Sequence, residues 1–420
     1  MTAGHAEGAS MAVPAPATAP RIAVVGAGMA AARFAQQFSA LGGAGEIVLY
    51  GAEPRAPYNR VLLADVLTGR YDAQAIALPT GAAVVRTGRE VTALDPAART
   101  VRFADGTTAA HDVLVLATGA NPVLPPIRGL HAPDGGLKEG VHSFRTVADC
   151  GRLAADAAHA SRAVVVGGGV LGVSAARALA AAGLPVEIVH QAPHLVERHL
   201  DEEAGAVLRR GLAELGVESY PGNRARALRG TGRVTGVELA TGHVLDTDLV
   251  VLACGVAPRT GLARAAGLPV AAGITVDDTL ACAPGVYAIG DCAEHRGAVH
   301  GLAGPAWEQA DVLAARLSGA DPAARYTGTR PYARLTAGPL EYAAFGDCAD
   351  PGPAGGTDVL RLSDATRGSY KKLVLRGDRL VGGILLGDLA AVGALTRVFE
   401  RDEQLPADPL DLLTIQGAPR

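Results

Sequence analysis

Two glycine turns constrain this chain more than any other feature: RIAVVGAGMAA over Arg21–Ala31 and RAVVVGGGVLG over Arg162–Gly172. Each follows a run of β-branched residues and opens an alanine-rich stretch, so each reads as strand, tight turn, helix. The first glycine (Gly26, Gly167) permits the bend. The second (Gly28, Gly169) lets the backbone approach a pyrophosphate held on the exposed N–H groups and positive end of the helix. The third position, Ala31 in one copy and Gly172 in the other, is small so that the helix can lie on its strand. One such turn is a weak sign of a ligand. Two in the same context point to a chain that holds two dinucleotides, and two dinucleotides in one enzyme usually exchange a hydride.

At 420 residues the chain exceeds the ~250–300 at which a single core stops growing, which predicts two or three domains. A formal net charge of −4 gives no electrostatic reason to expect nucleic acid or an anionic membrane as partner. No apolar run reaches the ~18 residues of a membrane span. Residues 1–20, rich in Ala, Gly and Pro without a basic start, read as a disordered tail or the product of an upstream start codon rather than a signal peptide. The cysteines, Cys150, Cys254, Cys282, Cys292 and Cys348, form no CxxC and no ligand set with histidine. That predicts no metal site and no disulfide framework, and suits a reducing cytoplasm.

Along the chain, strand 21–26, helix 30–41 and strand 46–50 form a first βαβ unit, followed by the turn-rich loop 51–60 and short strands at 101–103 and 113–116. The pattern restarts with strand 163–167, helix 170–182, strand 186–189 and the amphipathic stretch 201–215. Further strands are predicted at 249–254 and 285–291, then a helix over 305–317. Residues 369–375 and 379–386 read as a hairpin and 389–400 as a closing helix.

In this order, the two glycine turns, the Ala117-Thr118-Gly119 turn and GVYAIGD (Gly285–Asp291) resemble the two-dinucleotide-binding flavoprotein superfamily of glutathione reductase and ferredoxin reductase. The resemblance implies an α/β fold with two Rossmann-like domains and a small C-terminal α+β domain. The FAD-binding domain would be discontinuous, 21–140 and 259–324, with the NAD(P)-binding domain at 141–258 between its parts and the C-terminal domain at 325–416. PYNRVLLADVL (Pro57–Leu67), HLDEEAG (His199–Gly205) and YKKLVLRGDRLVGGILLGD (Tyr370–Asp388) look like the FAD and NAD(P)H module of the assimilatory nitrite reductase large subunit. They look equally like the electron-transfer subunit of assimilatory nitrate reductase.

The resemblance implies roles for single residues. Gly26, Gly28, Thr118 and Gly119 would face FAD, with Ala31 as the small packing position. Glu53 would accept from the adenosine ribose hydroxyls, the alternative being a solvated turn residue. Arg60 matches an arginine near the flavin, and Gly290 with Asp291 the acid that accepts from the ribityl hydroxyls. Trp307 is similar to a tryptophan beside the flavin, the alternative being a plain core residue. Gly167, Gly169 and Gly172 would hold NAD(P)H. Two departures bear on that nucleotide: Ser174 stands where relatives usually carry Glu, and His190 where they usually carry the acid that binds the ribose 2′-OH. His190 with Arg198 therefore leans towards NADPH or dual use, since cationic or neutral groups accept a 2′-phosphate; the alternative has His190 pointing to solvent.

Disulfide reductases of the superfamily carry cysteine early in the flavin domain, and Tyr58–Gly69 has none. The longer nitrite reductase relatives continue into iron–sulfur and sirohaem segments; this sequence reaches Arg420 without them, so nitrite reduction by this chain alone is not expected. The expected function is a relay: NAD(P)H to FAD by hydride transfer that depends on positioning and needs no protein acid or base, then single electrons to a separate redox protein. A nitrate or nitrite reductase component or a ferredoxin-like protein would accept them, and a homodimer is compatible with this reading. The competing readings are a ferredoxin or rubredoxin reductase or NAD(P)H oxidase of another pathway, and a non-catalytic flavin-binding structural or sensory subunit.

Overall fold

In the computed structural model, residues 19–330, 332–335, 340–350, 356–364, 366–406 and 411–414 are described; most of the expected N-terminal tail, residues 1–18, lies outside them. The apolar run Arg21–Val25 forms the middle of a six-stranded sheet because both its flanks are filled by parallel partners, Glu46–Tyr50 on one side and Val113–Leu116 on the other. Burial on both faces explains why the run carries no polar alternation. Beyond Val113–Leu116 the sheet continues through Val286–Ala288, a strand contributed from far downstream. The first nucleotide domain is therefore assembled from two separated chain segments.

The second sheet holds five parallel strands in the order Val217–Pro221, Val186–His190, Ala163–Val166, Leu249–Leu252 and Val141–Ser143. Ala120–Pro122 and Val256–Pro258, the segments that leave and re-enter the first domain, pair antiparallel with each other. This pairing joins the two nucleotide domains at the point where their glycine turns face. Two three-stranded antiparallel sheets, 91–110 and 225–246, cover the flanks.

The C-terminal part is a five-stranded antiparallel sheet, ordered 332–335, 342–346, 379–386, 369–376, 357–364, with helix Val392–Glu400 on one face. Successive side chains of Ser369–Arg376 point to opposite faces. Leu373 and Leu375 meet the helix side, whereas Tyr370, with Ile384 and Leu386, enters a core shared with Leu208 and Leu212 of helix Glu202–Glu214. The inner face of this sheet lies mainly on the second nucleotide domain, with Leu63 of the first joining the same core.

A buried polar knot secures that interface. Asp201 caps helix Glu202–Glu214 by accepting from the Ala204 N–H at 3.0 Å, and also accepts from Tyr370 Oη at 2.8 Å and Lys372 Nζ at 3.0 Å. Lys372 is fully buried and donates further to the Cys348 carbonyl at 2.9 Å and to Asp350 at 2.8 Å. Burial alone would raise the Asp201 carboxyl; the Ala204 N–H, Lys372 and Tyr370 together hold it below its ordinary range.

Lys372→Met removes one partner of this pair and is expected to lower the unfolding free energy by roughly 3–5 kcal/mol, read from urea unfolding. Asp201 has a depressed folded-state pKa, so its contribution is present above the unfolded value of about 3.9 and lost as pH falls through the folded value. The stability gap between the parent and Asp201→Asn should narrow below about pH 4 for that reason. An unchanged urea midpoint in Lys372→Met, or a gap that widens in acid, contradicts this account of the interface.

Candidate functional site

Both glycine turns open into one continuous cleft of about 2600 Å³. At the first, Gly26 adopts φ +114°, and a Cβ there would lie 2.1 Å from the Ala117 carbonyl oxygen. Strand end and neighbouring turn meet backbone to backbone, and only glycine allows it. At Gly28 the reverse holds: a Cβ would meet nothing within 4 Å, because the position faces the cleft. Helix Met29–Ala40 begins at Gly28 with no capping side chain and no acid in its first turn, so its N–H groups are left for an anion. Ala31 is fully buried under that helix.

The second turn repeats the construction. Gly167 takes φ +113° with its Cβ direction 2.2 Å from the Ala253 carbonyl oxygen, and a Cβ on Gly172 would sit 1.9 Å from the Gly167 carbonyl oxygen. Gly169 faces open space at the uncapped start of helix Val170–Ala181. Ser174 turns its hydroxyl back to donate to the Val170 carbonyl at 2.8 Å and offers the cleft little polarity.

Between the cradles the structure gathers charges from distant parts of the sequence. Glu53 accepts from Arg60 Nη2 at 2.6 Å and from Tyr58 Oη at 2.7 Å, and Arg60 also donates to the Arg145 carbonyl at 2.9 Å. Arg145 in turn pairs with Asp291. Glu53, Arg60 and Asp291 are thereby brought together in one network. Burial pushes the Tyr58 phenol far up, beyond the usual tyrosine range. Gly290, at φ +76°, donates its N–H to buried Gln309 at 2.7 Å and packs against Ala30, which sets Asp291 beside the first cradle. Thr118 donates to the Arg259 carbonyl at 2.8 Å, and Gly119 has φ +69°.

Two arginines escaped the sequence reading. Arg145 is positioned by the Thr146–Asp149 capping box of helix Val147–Ala157, with Asp149 accepting from both the Arg145 and Thr146 N–H groups. Arg259 lines the cleft, and its pKa is lowered first by burial and then by Arg60 and Arg145. The signal available for Arg145 was the T-x-x-D capping box immediately after it. Three guanidiniums stand against the carboxylates of Glu53, Asp291 and Glu90, the last also lining the cleft and acting on Arg259, and the buried Nε of Arg145 has no partner among the described residues. The uncapped helix start, the open space at Gly28 and the unpartnered Arg145 Nε fit a dinucleotide pyrophosphate.

Two residues sit differently from expectation. Trp307 is half-buried on helix Ala303–Ser318, but Leu302, Ala303 and Ala306 face the cleft and the indole does not, so it does not line the candidate flavin site. His190 is 7% exposed and both its ring nitrogens are engaged. The Gly168 N–H donates to Nδ1 at 3.1 Å, which places the ring hydrogen on Nε2, 3.0 Å from Glu197. His190 thus orients the glycine turn and Glu197 and leaves no free nitrogen for a phosphate; the exposed cations on that stretch of cleft wall are Arg198, Arg224 and Arg226.

None of the cysteines is poised as a thiolate. Burial pushes Cys150 up to about 12 and Cys254, Cys282 and Cys348 up to about 11, and raises fully buried Cys292 as well. No group of three or more His, Cys, Asp or Glu that could hold a metal occurs among the described residues, and none of their helices is long and apolar enough to cross a membrane.

Residues 20–311 match the family described as pyridine nucleotide-disulphide oxidoreductase, and residues 331–402 the rubredoxin NAD+ reductase C-terminal domain. The chain is 34% identical over 393 residues to a nitrite reductase [NAD(P)H] of Bacillus subtilis, covering 92% of this chain and 48% of that protein. It is 34% identical over 420 residues to the ferredoxin–NAD(+) reductase component of an anthranilate 1,2-dioxygenase system from Burkholderia cepacia, covering 92% of this chain and 96% of that one. Among solved structures, a ferredoxin reductase from Rhodopseudomonas palustris superposes with TM-score 0.83 at 27% identity, covering 94% of this chain and 99% of that chain. The chain spans about half the length of the nitrite reductase and of the assimilatory nitrate reductase electron transfer subunit of Bacillus subtilis, 48% of each. With both cradles in one cleft and no reactive thiol beside them, these likenesses place the chain in the pyridine nucleotide-disulphide oxidoreductase family, as an FAD-dependent NAD(P)H oxidoreductase.

Proposed function

We propose that this chain takes a hydride from NAD(P)H bound on Gly167–Gly172 into FAD bound on Gly26–Ala31, and passes the electrons singly to a separate redox protein of nitrate or nitrite assimilation. The observation that carries the reading is the continuity of the cleft between two uncapped helix N-termini. When bound, FAD supplies acceptance of two electrons as a hydride and their release one at a time. The protein's share is placement. Gly28 and Gly169 admit the two pyrophosphates, and the helix starts they cap hold the negative charge. Glu53 and Asp291 are acceptors for ribose and ribityl hydroxyls, each oriented by an arginine, Arg60 and Arg145. The uncapped start of helix Ala303–Ser318 directs its positive end into the cleft, where it favours negative charge on a reduced ring. With both nucleotides held in one cleft the transfer would be effectively intramolecular, so the hydride step would require no protein acid or base.

For the nicotinamide nucleotide, the exposed rim cations Arg198, Arg224 and Arg226 line the cleft and could accept a 2′-phosphate, while Glu197 is paired with His190. This supports use of NADPH as well as NADH, with Arg198 as the discriminating contact. A second reading of the acceptor, a small ferredoxin, is favoured by the near-complete coverage of the dioxygenase reductase component.

Gly28→Val should leave a folded protein, because none of the described residues fills that space, yet one largely free of flavin; full flavin occupancy removes Gly28 from the site. Arg198→Ala should raise the KM for NADPH by about tenfold or more, the loss of one charge-assisted contact, with a much smaller effect on NADH. Equal effects on both nucleotides would remove Arg198 from discrimination. The purified chain should reduce ferricyanide rapidly with NAD(P)H and produce no ammonia from nitrite until a metal-containing partner is added. Ammonia formed stoichiometrically by the metal-free chain contradicts the relay.

A further inference from the structure

Hydride transfer followed by one-electron release leaves a proton behind. Each NAD(P)H brings two electrons and one hydrogen nucleus; two one-electron acceptors remove the electrons, and the hydrogen carried by the reduced flavin must depart as H⁺. The cleft holds a group suited to receive it that the hydride step does not use and that is joined to the surface by hydrogen bonds. His300 lines the cleft just before helix Ala303–Ser318, and its Nε2 lies 3.3 Å from the hydroxyl of buried Tyr326. Tyr326 Oη is 2.7 Å from Thr329 Oγ1, and Thr329 donates to Glu308 Oε2 at 2.6 Å on the exposed face of the same helix.

The terminal carboxylate fixes the polarity of this chain. Thr329 donates its hydrogen to Glu308, so it accepts from Tyr326, and Tyr326 accepts from His300 Nε2–H. Neutral His300 then has its hydrogen on the outward side, and Nδ1 has no protein partner among the described residues. Resting on the relay reading above, we propose that His300 accepts the proton released when reduced FAD gives its electrons to a one-electron carrier, and that Tyr326, Thr329 and Glu308 conduct it to solvent. The bond between hydrogen and the flavin nitrogen breaks and an N–H bond forms at His300 Nδ1. The Nε2 proton moves to Tyr326, the phenolic proton to Thr329, and the threonine proton to Glu308, which exchanges with water; the two electrons leave on two acceptor molecules.

The charges around His300 suit a base that is empty at neutral pH. Burial is the largest influence and lowers its pKa, Glu308 and Asp291 oppose that, and neighbouring His295 adds to it. His295 is itself tied to Asp278 at 2.8 Å, which Arg296 also pairs, and its ring packs on that of Tyr326 with centroids 4.8 Å apart. That packing holds the phenol in line, and Tyr326→Phe preserves it while cutting the wire.

The test separates the two halves of turnover by anaerobic stopped flow on the FAD-loaded protein, with chemical reduction of the flavin available should neither nucleotide reduce it. Reoxidation by a [2Fe–2S] ferredoxin or ferricyanide should slow on the order of a hundredfold in His300→Gln, far more than flavin reduction does. Tyr326→Phe should slow the same phase and abolish its solvent deuterium isotope effect dependence on the chain, while ¹⁵N NMR of the oxidised parent shows His300 with hydrogen on Nε2. Failure of NAD(P)H to bleach the flavin would overturn the relay reading. Reoxidation unaffected in both variants, or a His300 Nδ1–H tautomer, would overturn the proton path alone.

Discussion

Everything in this cleft depends on backbone lying against backbone at positions where a side chain has no room. The carbonyl oxygens of Ala117, Ala253 and Gly167 stand about where a Cβ on Gly26, Gly167 or Gly172 would go. These contacts let each strand turn directly into its helix without a capping side chain. The outcome is a pair of helix starts with unpaired N–H groups pointed into the same space, an arrangement stabilised by a bound anion rather than by the protein's own groups. Gly28 and Gly169, where a side chain would meet only open space, mark where that anion belongs.

Electrostatics then sorts the cleft. Glu53 and Asp291 would repel a pyrophosphate if left alone, and each is joined to an arginine from another part of the chain. Arg259 adds a third guanidinium, whose proton affinity is lowered by burial first and then by its proximity to Arg60 and Arg145. The network therefore holds both carboxylates in place against guanidiniums. At the other cradle, His190 performs an orienting role: its Nδ1 receives the glycine-turn N–H and its Nε2–H secures Glu197, leaving the rim to Arg198.

The strand–turn–helix units were legible because their information is local: β-branched runs, glycines and small helical residues lie consecutively. Short strands such as Val84–Arg86 and Val217–Pro221 were not, since neither has the alternation or continuous apolarity that marks a strand in isolation. Glu53, Arg60 and Asp291 could be named as candidates, but Arg145 and Arg259 find their partners 146 and 138 positions away, and no local pattern announces such a pairing. His190 shows the converse: its place at the strand end was readable, whereas the direction of its ring follows from the close approach of Gly168. Trp307 likewise occupies the anticipated helix while Ala303 and Ala306 take the cleft-facing positions. The C-terminal sheet was readable as a hairpin and helix, but not its seat on helix Glu202–Glu214, which depends on one buried lysine meeting one helix cap.

The central claim is that both cradles act together, so that a nicotinamide nucleotide in one reduces a flavin in the other. Anaerobic titration of the FAD-loaded chain with NADPH and with NADH, followed by the visible flavin absorption, tests it most directly. The account predicts complete bleaching at one equivalent of nucleotide per flavin. A spectrum that either nucleotide leaves unchanged, with the flavin still reducible by dithionite, would contradict it.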